Sequence, residues 1–177
     1  PAVKKIFPTL TLLIPLILCS CGYSTHSSLP SRFRTIHVEA FANKIDFADE
    51  RSRNPYLPLL EVKARDAVVR RFQFDGALRI AKSEAADLIL KGELIHYDRT
   101  ALRYTDSRDV QEYRVQIQVN LTMWDTANNQ VMWEEKGFTG EADYFVTGPG
   151  ATSESEAVVR ATTDLARRIV ERAIEDW

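Results

Sequence analysis

From Tyr113 to Met123 apolar and polar side chains alternate without a break. Val115, Ile117, Val119, Leu121 and Met123 interleave with Arg114, Gln116, Gln118, Asn120 and Thr122. A period of two puts one set on a buried face and the other toward water, which predicts a long half-buried strand. Asp125 to Gln130 contains Asn128-Asn129, a turn signal, and the stretch from Val131 through Trp133 to Phe138 returns as a partner strand. Upstream, Leu88, Leu90 and Leu94 predict another long strand running toward Tyr97, so two antiparallel hairpins are expected side by side. Ile36, Val38 and Ala40 alternate with His37, Glu39 and Phe41 and predict a shorter strand; Leu78 to Ala81 predicts one more.

Two other segments change period. Leu60, Ala64, Ala67, Val68 and Phe72 recur at helical spacing, with Glu61, Lys63, Arg65 and Asp66 between them. Asp75-Gly76 ends this helix, since Gly can take a left-handed cap. Gly148-Pro149-Gly150 breaks the chain, and Ser153 with Glu156 three residues on reads as a capping box. Val158, Ala161, Leu165, Ile169 and Ala173 then form one helical stripe. Arg160, Arg167, Arg168 and Arg172 lie off it among acidic neighbours, as on a solvated, ion-paired face. Strand, helix, several strands, helix is the order of an α+β fold. The expected architecture is a two-layer sandwich: one mixed, mostly antiparallel sheet with two helices packed on one face. The face carrying Gln116, Gln118, Asn120 and Thr122 is then left uncovered by its own chain.

The N-terminus follows a different logic. Lys4 and Lys5 precede an apolar run from Ile6 to Leu18, interrupted by Pro8 and Pro15 and too short to span a bilayer. It closes on Leu18-Cys19-Ser20-Cys21-Gly22. A Leu three before a Cys, a small Ser just before it and a Gly just after it make a lipobox. The large Leu18 suits this better than an ordinary A-x-A cut. Residues 1–20 are therefore read as a lipoprotein signal peptide and Cys21 as the acylated first residue of the mature chain. Pro1 in place of Met reads as a leader clipped a few residues short. Residues 21–33, rich in Ser, Thr and Pro, read as a lipidated tether, and 34–177 as a single domain. Of 177 residues, 157 remain after the leader, with 21 basic and 25 acidic side chains. That mildly acidic balance argues against nucleic-acid binding. With Cys21 acylated, no thiol is left for a disulfide.

Little in the chain points to catalysis. His26, His37 and His96 match no metal-site spacing, no G-x-S-x-G elbow occurs, and Gly148-Pro149-Gly150 lacks the Lys-Ser/Thr of a phosphate loop. Glu134 and Glu135 are adjacent on a strand and face opposite ways. The expectation is a non-enzymatic domain with no metal and no cofactor beyond the lipid on Cys21. One stretch, Tyr97 to Arg108, reads as the tip between the two central strands. It carries Arg99, Arg103 and Arg108 with Tyr97 and Tyr104, side chains suited to anions and to amphipathic contacts. Asp98, Asp106 and Asp109 can also balance these arginines as a solvated loop.

Several segments in order carry a family resemblance. Cys21-Gly22-Tyr23, Leu29-Pro30, Thr35-Ile36-His37-Val38 and Phe41-Ala42-Asn43-Lys44 come first. Ala86-Asp87-Leu88-Ile89-Leu90-Lys91-Gly92, Tyr113 to Leu121, Val131-Met132-Trp133-Glu134-Glu135 and Asp164 to Val170 follow. Together the chain resembles the LptE family of lipopolysaccharide-assembly lipoproteins. The resemblance implies a two-layer α/β sandwich at the periplasmic face of the outer membrane. It implies a large β-barrel partner, LptD-like, in which the domain sits as a plug, and contact with lipopolysaccharide through basic residues. From composition and patterning, not from the resemblance, Arg99, Arg103, Arg108, Gln116 and Gln118 are the candidate contacts with lipopolysaccharide or the partner. Gly22 fits outer-membrane placement, since Asp there tends to retain a lipoprotein in the inner membrane. The polar insert Lys44 to Pro58 departs from the family pattern. The alternative reading is a periplasm-facing envelope lipoprotein that binds another protein or cell-wall glycan.

Overall fold

The computed structural model describes residues 29–46 and 57–175. The leader, Cys21 and most of the 44–58 insert lie outside the described residues. Among the described residues six strands and two α-helices follow one another: β1 (Thr35–Val38), β2 (Ala42–Asn43), α1 (Leu60–Asp75), β3 (Arg79–Ile80), β4 (Leu88–Tyr104), β5 (Val110–Asp125), β6 (Gln130–Phe145) and α2 (Glu154–Glu175). The sheet order is β3-β1-β4-β5-β6. β1 and β2 run parallel to β4, against Leu88–Leu90 and then Glu93–Leu94, while β5 and β6 are antiparallel. This is the mixed α+β sandwich that the pattern predicts.

The alternation in β5 survives intact. Val115, Ile117, Val119, Leu121 and Met123 are buried, and the polar residues between them are half-exposed. Leu60, Ala64, Ala67, Val68 and Phe72 of α1 and Ala161, Leu165, Ile169 and Ala173 of α2 close over the same sheet face. Each large apolar side chain buried here contributes about 1.5–3 kcal/mol relative to exposure. Gly76 takes φ 82 and donates its N–H to Phe72 O, the left-handed stop expected of it. At α2, the Glu156 N–H donates to Ser153 Oγ at 3.2 Å, one arm of the capping box.

Three features differ from the sequence reading. First, Phe41 is buried and Ala40 exposed, the reverse of the expected alternation. β1 stops at Val38 and the chain steps across to β2, which changes the phase. The Phe41 ring covers Gly92, where a Cβ would come within 2.6 Å of it. Second, the two expected hairpins share β5 in a three-stranded meander whose last strand is longer than the sequence reading has it. β6 continues past Phe138 to Phe145, with Gly137 at φ 66 just before Phe138 and Gly140 just after it. Gly140 lies so close to α2 that a Cβ there would sit 2.4 Å from Leu165 Cβ. Two glycines in one strand erased its alternation from the sequence. Third, packing starts inside the stretch read as a tether: Phe33 is buried in the core and Leu29 packs against it.

Candidate partner-binding surface

The helices cover one face of the meander; among the described residues no helix covers the other. Its polar side chains pair across strands. Arg114 donates to both oxygens of Asp143, at 2.7 and 2.9 Å, and lies 3.6 Å from Glu141. The hydrogen bond from Arg114 holds the Asp143 carboxyl below the usual range, and the same bond raises the guanidinium. Gln116 donates to Glu141 at 3.2 Å, and the Gly137 N–H donates to Asn120 Oδ1 at 3.1 Å. Gln118 lies between His96 of β4 and Thr139 of β6. Below them Lys91 sits 5.6 Å from the centre of the Trp124 ring. The result is a broad half-exposed face rich in donors and acceptors. Gln116 and Gln118 are both on it, as the alternation predicts. Arg114, not singled out in the sequence, is its most strongly engaged cation; its signal was its place in the same alternation.

Beyond the start of α2 the strands overhang the helix layer. The stretch Tyr97 to Arg108 is mostly strand: β4 runs to Tyr104 and only the next five residues turn. Tyr97 is buried, and its hydroxyl donates to Glu154 Oε1 at 2.7 Å. Burial, together with that carboxylate, pushes the phenol well above its ordinary range. Arg99 reaches the other oxygen of Glu154 and lies 4.8 Å from the centre of the Tyr113 ring, which stacks on Tyr144 at 5.7 Å. Partial burial opposes the Arg99 charge, but the Glu154 contact outweighs it and raises the guanidinium. Arg103 points to the opposite face, 3.5 Å from Glu112 and 5.8 Å from the centre of the Phe145 ring. Arg108 occupies the turn at φ 68.

The three arginines therefore do not converge. In an unbroken strand Arg99 and Arg103, four apart, would share a face. A register shift between Ala101 and Arg103 sends them to opposite sides. An earlier shift, between Leu94 and His96, brings Tyr97 rather than His96 to the core. Neither bulge carries a Gly or Pro, so no punctuation marked them in the sequence.

β6 forms an edge of the sheet, and α2 lies along it. Asp164 accepts the Glu141 N–H at 3.2 Å, Arg168 donates to Thr139 O at 2.8 Å, and Arg160 donates to Asp143 O at 2.8 Å. These side chains occupy the outward backbone groups of three alternate residues. Arg172 reaches Glu135 at 2.8 Å and lies 4.8 Å from the Trp133 ring centre. The arginines read as a solvated face thus divide: Arg167 pairs within the helix, with Asp164 and Glu171, and the other three reach to β6.

Among the described residues no group of three or more His, Cys, Asp or Glu is placed to hold a metal ion. Among the same residues no helix is long and apolar enough to cross a membrane. No curated protein matches the chain. Solved structures share its fold. Protein XCC0632 from Xanthomonas campestris is 12% identical with TM-score 0.56, over 79% of this chain and 83% of that one. The hypothetical protein CT253 from Chlamydia trachomatis is 13% identical with TM-score 0.51, over 80% and 95%. A dodecameric PelC variant from Paraburkholderia phytofirmans is 18% identical with TM-score 0.50, over 85% and 96%. At such identities the likeness concerns the fold alone. A sequence model of the family described as LptE, lipopolysaccharide-assembly, matches residues 33–173, most of the chain. The chain belongs to the LptE family of lipopolysaccharide-assembly proteins.

Proposed function

We propose that this protein is an outer-membrane lipoprotein, anchored through Cys21 on the periplasmic side, which seats its uncovered sheet face in the lumen of an LptD-like β-barrel and supports lipopolysaccharide assembly there. The observation that carries the reading is the three-stranded polar face, half-exposed along the whole of β5, in a chain of this family. Barrel lumens are polar and wet. A hydrogen-bonding face meets such a lumen without a large apolar patch. The overhanging β4–β5 hairpin, with Arg103 and Arg108 exposed, reaches past the helix layer as an arm suited to an anionic headgroup or to the barrel wall. Gln116 and Gln118 are the proposed contacts on the face. Nothing in this role calls for catalysis or a cofactor.

The test is photo-crosslinking in cells from Gln118 and from Arg103, one site at a time. A β-barrel adduct from both positions is the expected result, together with co-purification of the barrel. Adducts only to a soluble periplasmic protein or to cell-wall glycan would overturn the reading. So would recovery of the correctly folded barrel from cells lacking this chain.

A further inference from the structure

Away from the sheet, α1 and α2 leave a groove between them. Its two halves, of about 500 and 410 Å3, share Ala67, Arg70 and Thr163. Five cationic side chains line it against two carboxylates. Both carboxylates are already engaged: Asp164 with Arg167 at 2.8 Å and with the Glu141 N–H, Asp66 with Arg65 at 3.1 Å. Two of the cations are engaged as well, Arg160 with Asp143 O and Arg167 with Asp164 and Glu171. The other three are Lys63 in one half and Arg70 with Arg71 in the other. Among the described residues none of these three forms an ion pair. Lys63 and Arg70 are exposed. The Arg71 guanidinium lies 5.5 Å from the ring centre of Phe74, and its Nε is buried without an acceptor. A buried donor left without a partner is unfavourable, so this end is short of an acceptor as well as of negative charge. The sheet face shows the contrary pattern, since Arg114 is satisfied by Asp143 and Glu141.

The spacing of the cations and the lining between them say what kind of anion fits. Lys63 and Arg70 are seven residues apart on α1, about 10 Å along the helix axis at about 1.5 Å per residue. A small inorganic anion reaches only one end. An extended peptide advances about 3.3 Å per residue, so carboxylates about three positions apart reach both. Guanidinium pairs suit carboxylates through charge-assisted hydrogen bonds. Between the two ends the lining is mixed rather than dry, with Ser155, Thr162 and Thr163 beside Ala67 and Val158. Thr163 is exposed and its hydroxyl donates to Val159 O at 2.8 Å, so its lone pairs are left to accept a peptide N–H.

We infer that the α1–α2 groove binds an extended acidic peptide segment of a partner protein, with carboxylates held by Arg70 and Arg71 at one end and by Lys63 at the other. The inference goes beyond the barrel-contact reading: it concerns the helix layer, and its test uses no barrel. The probe is the peptide acetyl-Gly-Glu-Glu-Gly-Ser-Glu-Glu-Gly-amide, whose two Glu pairs match the spacing of the cations. Isothermal titration of the full chain, held in a neutral maltoside detergent, should give one saturable site for it. The same peptide with Gln in place of every Glu should not bind. Arg70→Gln with Arg71→Gln should weaken the Glu peptide about tenfold to a hundredfold, the loss expected for charge-assisted hydrogen bonds, with an unchanged melting temperature. Arg70→Glu, at an exposed position, should lose at least as much and serves where the double variant fails to fold. Lys63→Gln should weaken the probe and leave a shorter peptide with a single Glu pair as it was. Equal binding of the Gln peptide would overturn the role of charge, and undiminished binding by Arg70→Glu would overturn the site. An unaffected Lys63→Gln would overturn the two-ended geometry. Inorganic phosphate or heparin binding as tightly as the probe would overturn the peptide as occupant.

Discussion

Gly140 is where the two layers come closest, and its role is to have no side chain. A Cβ there would meet Leu165 Cβ at 2.4 Å and Ala161 O at 2.6 Å, atoms that α2 cannot move without lifting off β6. Gly140→Ala should therefore destabilise the fold by about 3 kcal/mol, as overpacking does at rigid contacts; an unchanged urea midpoint would contradict this contact. Asp125 poses the opposite problem, a carboxylate with no exposed surface. Burial raises its pKa, but the N–H groups of Asn128 and Ala127, the Asn128 amide and Arg32 at 3.0 Å outweigh that and hold it below the usual value. A depressed pKa stabilises the fold above the unfolded value, near pH 4, and that contribution is lost as pH falls through the folded value. Asp125→Asn should be less stable than the parent at pH 7, and denaturation at pH 3 should show the gap narrowed. The core stripes of β5, α1 and α2 were readable residue by residue because periodicity alone decides them. Phe41 was not, since its burial depends on a step between β1 and β2 and on Gly92 across the sheet.

At the scale of elements, β6 is the exposed flank of the sheet. An edge strand of sixteen residues invites pairing with another chain. Asp164, Arg160 and Arg168 close part of that edge by taking the backbone groups at Glu141, Asp143 and Thr139. Replacing all three by Ala removes contacts that contribute about 1 kcal/mol each. The expected outcome is concentration-dependent dimers by light scattering with helix content retained; a strictly monomeric triple variant would show that another device protects the edge. The elements themselves were legible wherever their period held for several residues, as in β5 and both helices. Their relations were less so. The length of β6, hidden by Gly137 and Gly140, and the bulges of β4 arise from pairing across strands, where a one-residue shift reverses every side chain beyond it. That is why Arg99, Arg103 and Arg108 look like one cluster along the chain and occupy three separate environments in space.

At the scale of the molecule, the proposed anchor, Cys21, lies outside the described residues. The described core draws on residues 29–46 and 57–175, all downstream of Cys21. If Cys21 carries the lipid, Cys21→Ser should leave the circular dichroism melt unchanged and move the protein out of the membrane fraction; a variant fully retained in membranes with unaltered migration would defeat the lipobox reading. The α+β class, the uncovered polar face and the family were determined by the sequence, because burial on one side writes a period into the chain and membership is carried by ordered segments. Which arginines meet, which edge is capped and where a basic groove opens were decided only by the tertiary structure. Those relations join residues such as Arg71 and Thr163, or Asp164 and Glu141, across separate elements. No local pattern encodes the register and crossing that bring such pairs together.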